Sequence, residues 1–138
     1  MKLSRFALAL FAFGAFAALI SIAAAAFAAH GVANVAPRGE QAAAWFAQAA
    51  GFQMDHALGL ILITLAAEFA EKGISTTLMR TGALLLVGAI VLFPGSLYWA
   101  SFGGSSALTP IGGFAAMGGW VVFGVGALSA LLRKRTYL

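Results

Sequence analysis

Asp55 and His56 stand side by side in the stretch GFQMDHALG, residues 51–59, with Gln53 three positions ahead of the histidine. An acid, an imidazole and a carboxamide this close can hydrogen-bond, pass a proton or hold a ligand. On a helix Gln53 and His56 share a face, whereas Asp55 and His56 point about 100° apart and need not touch. The next residues, LILITLAA (60–67), are apolar enough for hydrocarbon. Other polar groups stand at His30, at Ser96 and Tyr98 within FPGSLYW (93–99), and at Thr109. Two histidines on neighbouring helices can bracket a haem iron or contact a quinone. They more often hydrogen-bond to a neighbour. The signatures of hydrolases, metalloproteases and nucleotide loops are missing, and the carboxylates do not cluster. With no cysteine, disulfides, thiolate metal sites and cysteine nucleophiles are excluded. No catalytic residue, metal or cofactor is expected.

The elements that carry these groups are membrane helices. Of 138 residues, 62% are hydrophobic and 9% charged, against about a quarter charged in soluble domains. Mean hydropathy is +0.98. Four runs reach the roughly 20 apolar residues that a spanning helix needs: 6–29, 52–69, 81–102 and 110–132. The class is therefore an all-α polytopic membrane protein, one domain over residues 1–138, with four transmembrane helices in a compact bundle. The first run, behind Lys2 and Arg5, also resembles a signal peptide. It exceeds the usual 7–15 apolar residues of such a segment and is read as a retained helix. Residues 34–51 are read as an interfacial helix on the outer side, with an outward extension of the second span as the alternative. Gln41, Gln48 and Asp55 recur there at seven-residue spacing, as do Trp45 and Phe52.

Four spans put Lys2, Arg5, Lys72, Arg80, Arg133, Lys134 and Arg135 on one side and only Arg38 on the other. The positive-inside rule then predicts cytoplasmic termini in a bacterial inner membrane. The net charge of +4 is accounted for by helix ends and lipid headgroups, so nucleic acid is not an expected partner. This topology gathers His30, Gln53, Asp55, His56, Ser96, Tyr98 and Thr109 in the outer leaflet, around one shallow pocket. Asp55 lies near the mouth of its span, with His56, His30 and Arg38 as available partners. That position avoids most of the roughly 2.5–3.5 kcal/mol that a charge at the bilayer centre carries on insertion scales. Close helix packing is expected at Gly14 in the first span and at Gly112, Gly119 and Gly126 in the last. Pro94 is expected to kink the third span.

Four fragments in order resemble the family known as domain of unknown function 423, which includes YgdD-like inner-membrane proteins and, distantly, transmembrane protein 256. They are AFAAHG (26–31), FQMDHALGL (52–60), LFPGSLYW (92–99) and TPIGG (109–113), the last followed by Gly119-Trp120. The resemblance spans nearly the whole chain and implies a small four-helix membrane protein without an established activity. The family's recurrent positions fall on His30, Gln53, His56, Gly95, Ser96, Tyr98, Thr109, Pro110, Gly112, Gly113 and Trp120. Ala28, Asp55 and Pro94 depart from its pattern, so a mechanism requiring Asp55 would not extend to the family. The expected function is a non-catalytic accessory, scaffold or lipid-interacting bundle. Its partners would be membrane lipids, and a larger complex or a homo-oligomer is open. The alternatives are quinone or haem binding at the outer cluster, or an oligomeric transporter or channel.

Overall fold

The computed structural model describes residues 3–135; Lys2 and the side chains of Lys134 and Arg135, counted in the topology above, lie outside the described residues. Five helices follow one another: α1 (Arg5–His30), α2 (Val32–Val35), α3 (Gly39–Phe69), α4 (Ile74–Ser101) and α5 (Thr109–Arg135). Four are long and apolar enough to cross a membrane. They hold 26 to 31 residues, hence about 39–46 Å at 1.5 Å per residue. That exceeds a hydrocarbon core of about 30 Å, so their ends protrude or the helices tilt.

Local chemistry sets the boundaries. The Ser4 hydroxyl caps α1 by accepting the Ala7 N–H at 3.1 Å, filling one of the first turn's open donors. Beyond α4, Gly103 adopts φ +96°, a left-handed conformation that glycine takes without strain. The next residue, Gly104, lies flush against the Trp99 indole. Pro110 falls in the first turn of α5, where its missing N–H is harmless. Pro94 sits inside α4, and the helix continues through it.

Residues 39–51 are not a separate interfacial helix: they form the first half of α3. The reason is a single buried stripe at three- and four-residue steps. It runs through Ala42, Phe46, Ala49, Gln53, Ala57, Leu60, Thr64 and Ala67 without a break. The alternative reading, an extension of the second span, is the observed one. Likewise α4 begins at Ile74 rather than 81, its added turns anchored by the Thr76 hydroxyl on the Glu71 carbonyl at 2.6 Å.

The extensive contacts run α1 against α3, α3 against α4 and α4 against α5. The central pair α3 and α4 each bury 44% of their most apolar stretch, α1 28% and α5 17%. The flanking helices accordingly show Phe16, Ile22, Phe114 and Val121, each at least 60% exposed, as a lipid-facing surface. Glycine brings α5 close to α4. A Cβ on Gly82 would fall 2.8 Å from the Gly119 carbonyl oxygen, one on Gly126 3.1 Å from that of Ser75, and one on Gly112 would overlap the Phe93 backbone. Gly14 of α1 meets Ile61 of α3 in the same way. Lipid supplies no hydrophobic push between helices, so such close approach is what dispersion requires.

The start of α1 and the last turns of α5 are grouped at one end of the bundle with the 70–73 connection, Ser4 bonding Glu68 and Arg133 lying against Gly73. This is called the terminal end below. The 31–38 and 102–108 connections form the far end.

Candidate functional site

The expected cluster divides into separate places. Its centre is Gln53, only 4% exposed, on the buried stripe of α3. Its amide nitrogen donates to the Ala17 carbonyl of α1 at 2.7 Å. Its amide oxygen accepts the Tyr98 hydroxyl of α4 at 3.1 Å. One carboxamide thus ties three helices. Nearby, the Ser21 hydroxyl donates to the Ala50 carbonyl at 2.7 Å. The Tyr98 ring packs on Phe46 at 4.6 Å between centroids, and Phe46 meets Phe27 and Phe102 edge-on.

Beside this node a cleft of about 270 Å³ separates α1 from α4. Phe13, Phe16 and Ile20 form one wall and Ile90, Val91 and Gly95 the other, with Gln53 and Tyr98 at the base. The Gln53 nitrogen carries two N–H groups, of which the Ala17 carbonyl takes one. The Tyr98 oxygen donates once and can still accept. The cleft can therefore seat an apolar body and offer hydrogen bonds to one polar head.

His56 does not share the Gln53 face. Its ring stacks on Phe52 at 3.9 Å, and Phe52 stacks on Phe93 at 3.9 Å. Trp120 of α5 closes the row at 6.3 Å from His56 and lies over Gly59. Nδ1 of His56 lies 2.8 Å from the Phe52 carbonyl. A carbonyl only accepts, so Nδ1 carries the proton and Nε2 is left as an acceptor. His30 is exposed at the end of α1. The Ser21–Ala50 pairing sets the antiparallel register of α1 and α3, which separates His30 from His56 by about fifteen residues, or about 22 Å. One haem iron cannot take both.

Asp55 is exposed, and among the described residues no ion pair reaches it. Since α3 starts at Gly39, Asp55 lies near the middle of its helix and not at a mouth. The Ser96 hydroxyl turns to the Ser105 carbonyl at a long 3.4 Å. It therefore serves the far-end connection rather than the carbonyl freed by Pro94. The Thr109 hydroxyl oxygen is buried without a partner. It lines a second cavity, of about 520 Å³, with Trp45, Phe93 and Met117. Among the described residues no group of three or more His, Asp or Glu is placed to hold a metal ion.

The terminal end holds a junction that sequence reasoning missed. Glu68 of α3 accepts the Ser4 backbone N–H and hydroxyl, each at 2.9 Å. It also pairs with Arg80 of α4 at 3.0 Å. The guanidinium lies 5.6 Å over the Phe6 ring. Counting Arg80 only as an orientation signal hid this role. The clue was an acid in the last turn of α3 and a base about two turns into α4, twelve residues on.

Fold and side chains define a polytopic α-helical membrane protein with polar ties between its helices and lateral clefts open to lipid. Residues 24–113, from the end of α1 into α5, match the family model described as protein of unknown function (DUF423). The UPF0382 membrane protein YwdK of Bacillus subtilis is 35% identical over 121 residues, covering 86% of this chain and 94% of that one. A UPF0382 membrane protein of Haemophilus influenzae is 30% identical over 116 residues, covering 79% and 85%. Another from Staphylococcus epidermidis is 31% identical over 118 residues, covering 83% and 91%. The chain belongs to this DUF423 family of uncharacterised membrane proteins. No solved structure matches it.

Proposed function

We propose that this protein is a non-catalytic, lipid-interacting bundle of an inner membrane, with both termini cytoplasmic. In this reading the cleft between α1 and α4 receives a lipid-soluble amphiphile from the outer leaflet. The orientation rests on the basic residues of the terminal end, against Arg38 alone at the far end. One observation carries the binding reading: a nearly fully buried carboxamide and a tyrosine hydroxyl, both with spare hydrogen-bonding capacity, form the base of an otherwise apolar cleft. Such a site suits one hydroxyl or carbonyl head on an apolar body, the usual pattern of few polar groups in an apolar pocket. Ser21, Thr64 and Ser101 serve as glue between or along helices, which supports a scaffold rather than a reaction centre.

The test is to extract the protein in polymer-bounded native discs and compare its lipids with the bulk membrane. Gly95 lines the cleft, and a Cβ added to it would meet nothing within 4 Å, so Gly95→Leu fills the space without a clash. An amphiphile enriched in the wild type and lost in Gly95→Leu and Tyr98→Phe supports the reading. A lipid complement identical to the bulk in all three discards it and leaves a scaffold.

A further inference from the structure

The cavity of about 520 Å³ between α3, α4 and α5 is graded along the helix axes. Trp45 and Thr109 line it toward the far end. Phe93 and Met117 line it deepest, about 12 Å inside α4 and α5 at 1.5 Å per residue. The wall between is apolar and includes Leu97 and the 69% exposed Phe114.

The rim of this cavity carries a cation. The Arg38 guanidinium lies 5.1 Å over the Trp45 ring, so the indole that holds the charge is itself part of the cavity wall. Stacking uses the face of the guanidinium and leaves its N–H edge free. Among the described residues no carboxylate pairs with it, and Glu40, two positions on, is exposed and forms no ion pair. The other Lys and Arg residues described belong to the terminal end. Arg38 is thus a lone cation on the side that the positive-inside bias empties. Two polar groups stand near it on the cavity wall. The Gln48 carboxamide is exposed one turn deeper than Trp45, and the Thr109 hydroxyl finds no partner within the chain.

We propose that this cavity is a binding site for a phospholipid of net negative charge, its phosphate on Arg38 and one acyl chain along Phe93, Phe114 and Met117. The edge of a guanidinium matches a phosphate with two parallel hydrogen bonds. Gln48, about 4.5 Å deeper than Trp45, stands at the level of the ester carbonyls and has N–H groups to donate to one. A zwitterionic lipid brings its own cation toward Arg38, so the site discriminates against it. A free phosphate lacks the body that fills the apolar half. The site does not rest on the α1–α4 cleft, since Phe93 and Leu97 stand on the opposite face of α4 from Gly95 and Tyr98.

The test places the protein in phosphatidylcholine vesicles doped with phosphatidylglycerol that carries a photoreactive group on one acyl chain. Labelled residues are then mapped by peptide mass spectrometry. Phe114 and Met117 are expected to label about tenfold above the lipid-facing controls Ile22 and Val121, and about tenfold above their labelling by photoreactive phosphatidylcholine. That is the worth of one charge-assisted pair. Arg38→Gln should lower the phosphatidylglycerol labelling to the phosphatidylcholine level. Arg133→Gln, which removes the same charge at the terminal end, should keep it. A Cβ on Gly113 would stand 3.9 Å from Phe93, in ordinary contact, so Gly113→Leu fills this cavity and should abolish the labelling. Gly95→Leu fills only the α1–α4 cleft and should keep it. If Gly113→Leu fails to accumulate, the surface change Arg38→Gln carries the comparison. Equal labelling by the two lipids, labelling indifferent to Arg38→Gln, its loss in Gly95→Leu, or its loss to excess glycerol phosphate would each overturn the phospholipid site.

Discussion

Oε1 of Glu68 lies 3.0 Å from Arg80 and 2.9 Å from the Ser4 hydroxyl, so one carboxylate joins α1, α3 and α4 at the terminal end of the bundle. Its side chain is 9% exposed while that of Arg80 is 44% exposed. Glu68→Ala is expected to lower the melting temperature in detergent more than the same change at the exposed Glu71. Ser4→Ala, which leaves the backbone donor and the ion pair, should have a smaller effect than Glu68→Ala. Equal melting of the two glutamate variants would show the junction to be ornamental.

The Gln53 node calls for unequal losses. Tyr98→Phe removes one bond between helices, about 0.6 kcal/mol by the measured average in membrane bundles. Gln53→Leu removes two and leaves the Tyr98 hydroxyl without its acceptor, so a loss of roughly 1–2 kcal/mol is expected. Reversible unfolding in mixed micelles separates the two. A Tyr98→Phe loss as large as that of Gln53→Leu would place the weight on Tyr98 instead.

Along α4 and α5 the contacts are made by what glycine lacks. Gly119→Leu must displace Leu86 and the Gly82 backbone, and overpacking of this kind is destabilising by roughly 1–3 kcal/mol. Gly124 is exposed with open space around its missing Cβ, so Gly124→Ala should change stability by less than about 0.5 kcal/mol. The same unfolding assay reads both.

Haem offers a sharp spectroscopic test of the histidine geometry. With His30 and His56 separated by about 22 Å along the bundle, adding haemin to the purified protein should give no low-spin bis-histidine spectrum. Such a spectrum, abolished equally by His30→Ala and His56→Ala, would contradict this register of α1 and α3.

Much of the architecture was legible because membrane helices write themselves as long charge-free runs, and close seams as spaced glycines. Gly14, Gly112, Gly119 and Gly126 stand where neighbouring helices approach most closely. Gln53 and Tyr98 do meet. The start of α3 was obscured because GEQAAAWFAQAAGF holds too many glutamines and too little bulk to read as a span. Its buried side, Ala42, Phe46, Ala49 and Gln53, is evident only once partners are present. Depth followed from that boundary, so Asp55 was assigned to a mouth when it stands mid-helix. His30 was grouped with His56 because topology gives a side of the membrane but not a register between helices.

The order of packing also bears on how the protein is made. α3 closes on α1, α4 on α3, and α5 on α4, so each new span finds its main surface on a helix already inserted. No span has to wait for a distant one before it can bury its small-residue face. Leaving the insertion machinery and acquiring tertiary structure can therefore proceed together, one helix at a time. Some ties wait for α4: Glu68 gains Arg80, and Gln53 gains Tyr98, only once that helix has emerged. Until then α1 and α3 are joined by the Ser4, Ala17 and Ser21 hydrogen bonds.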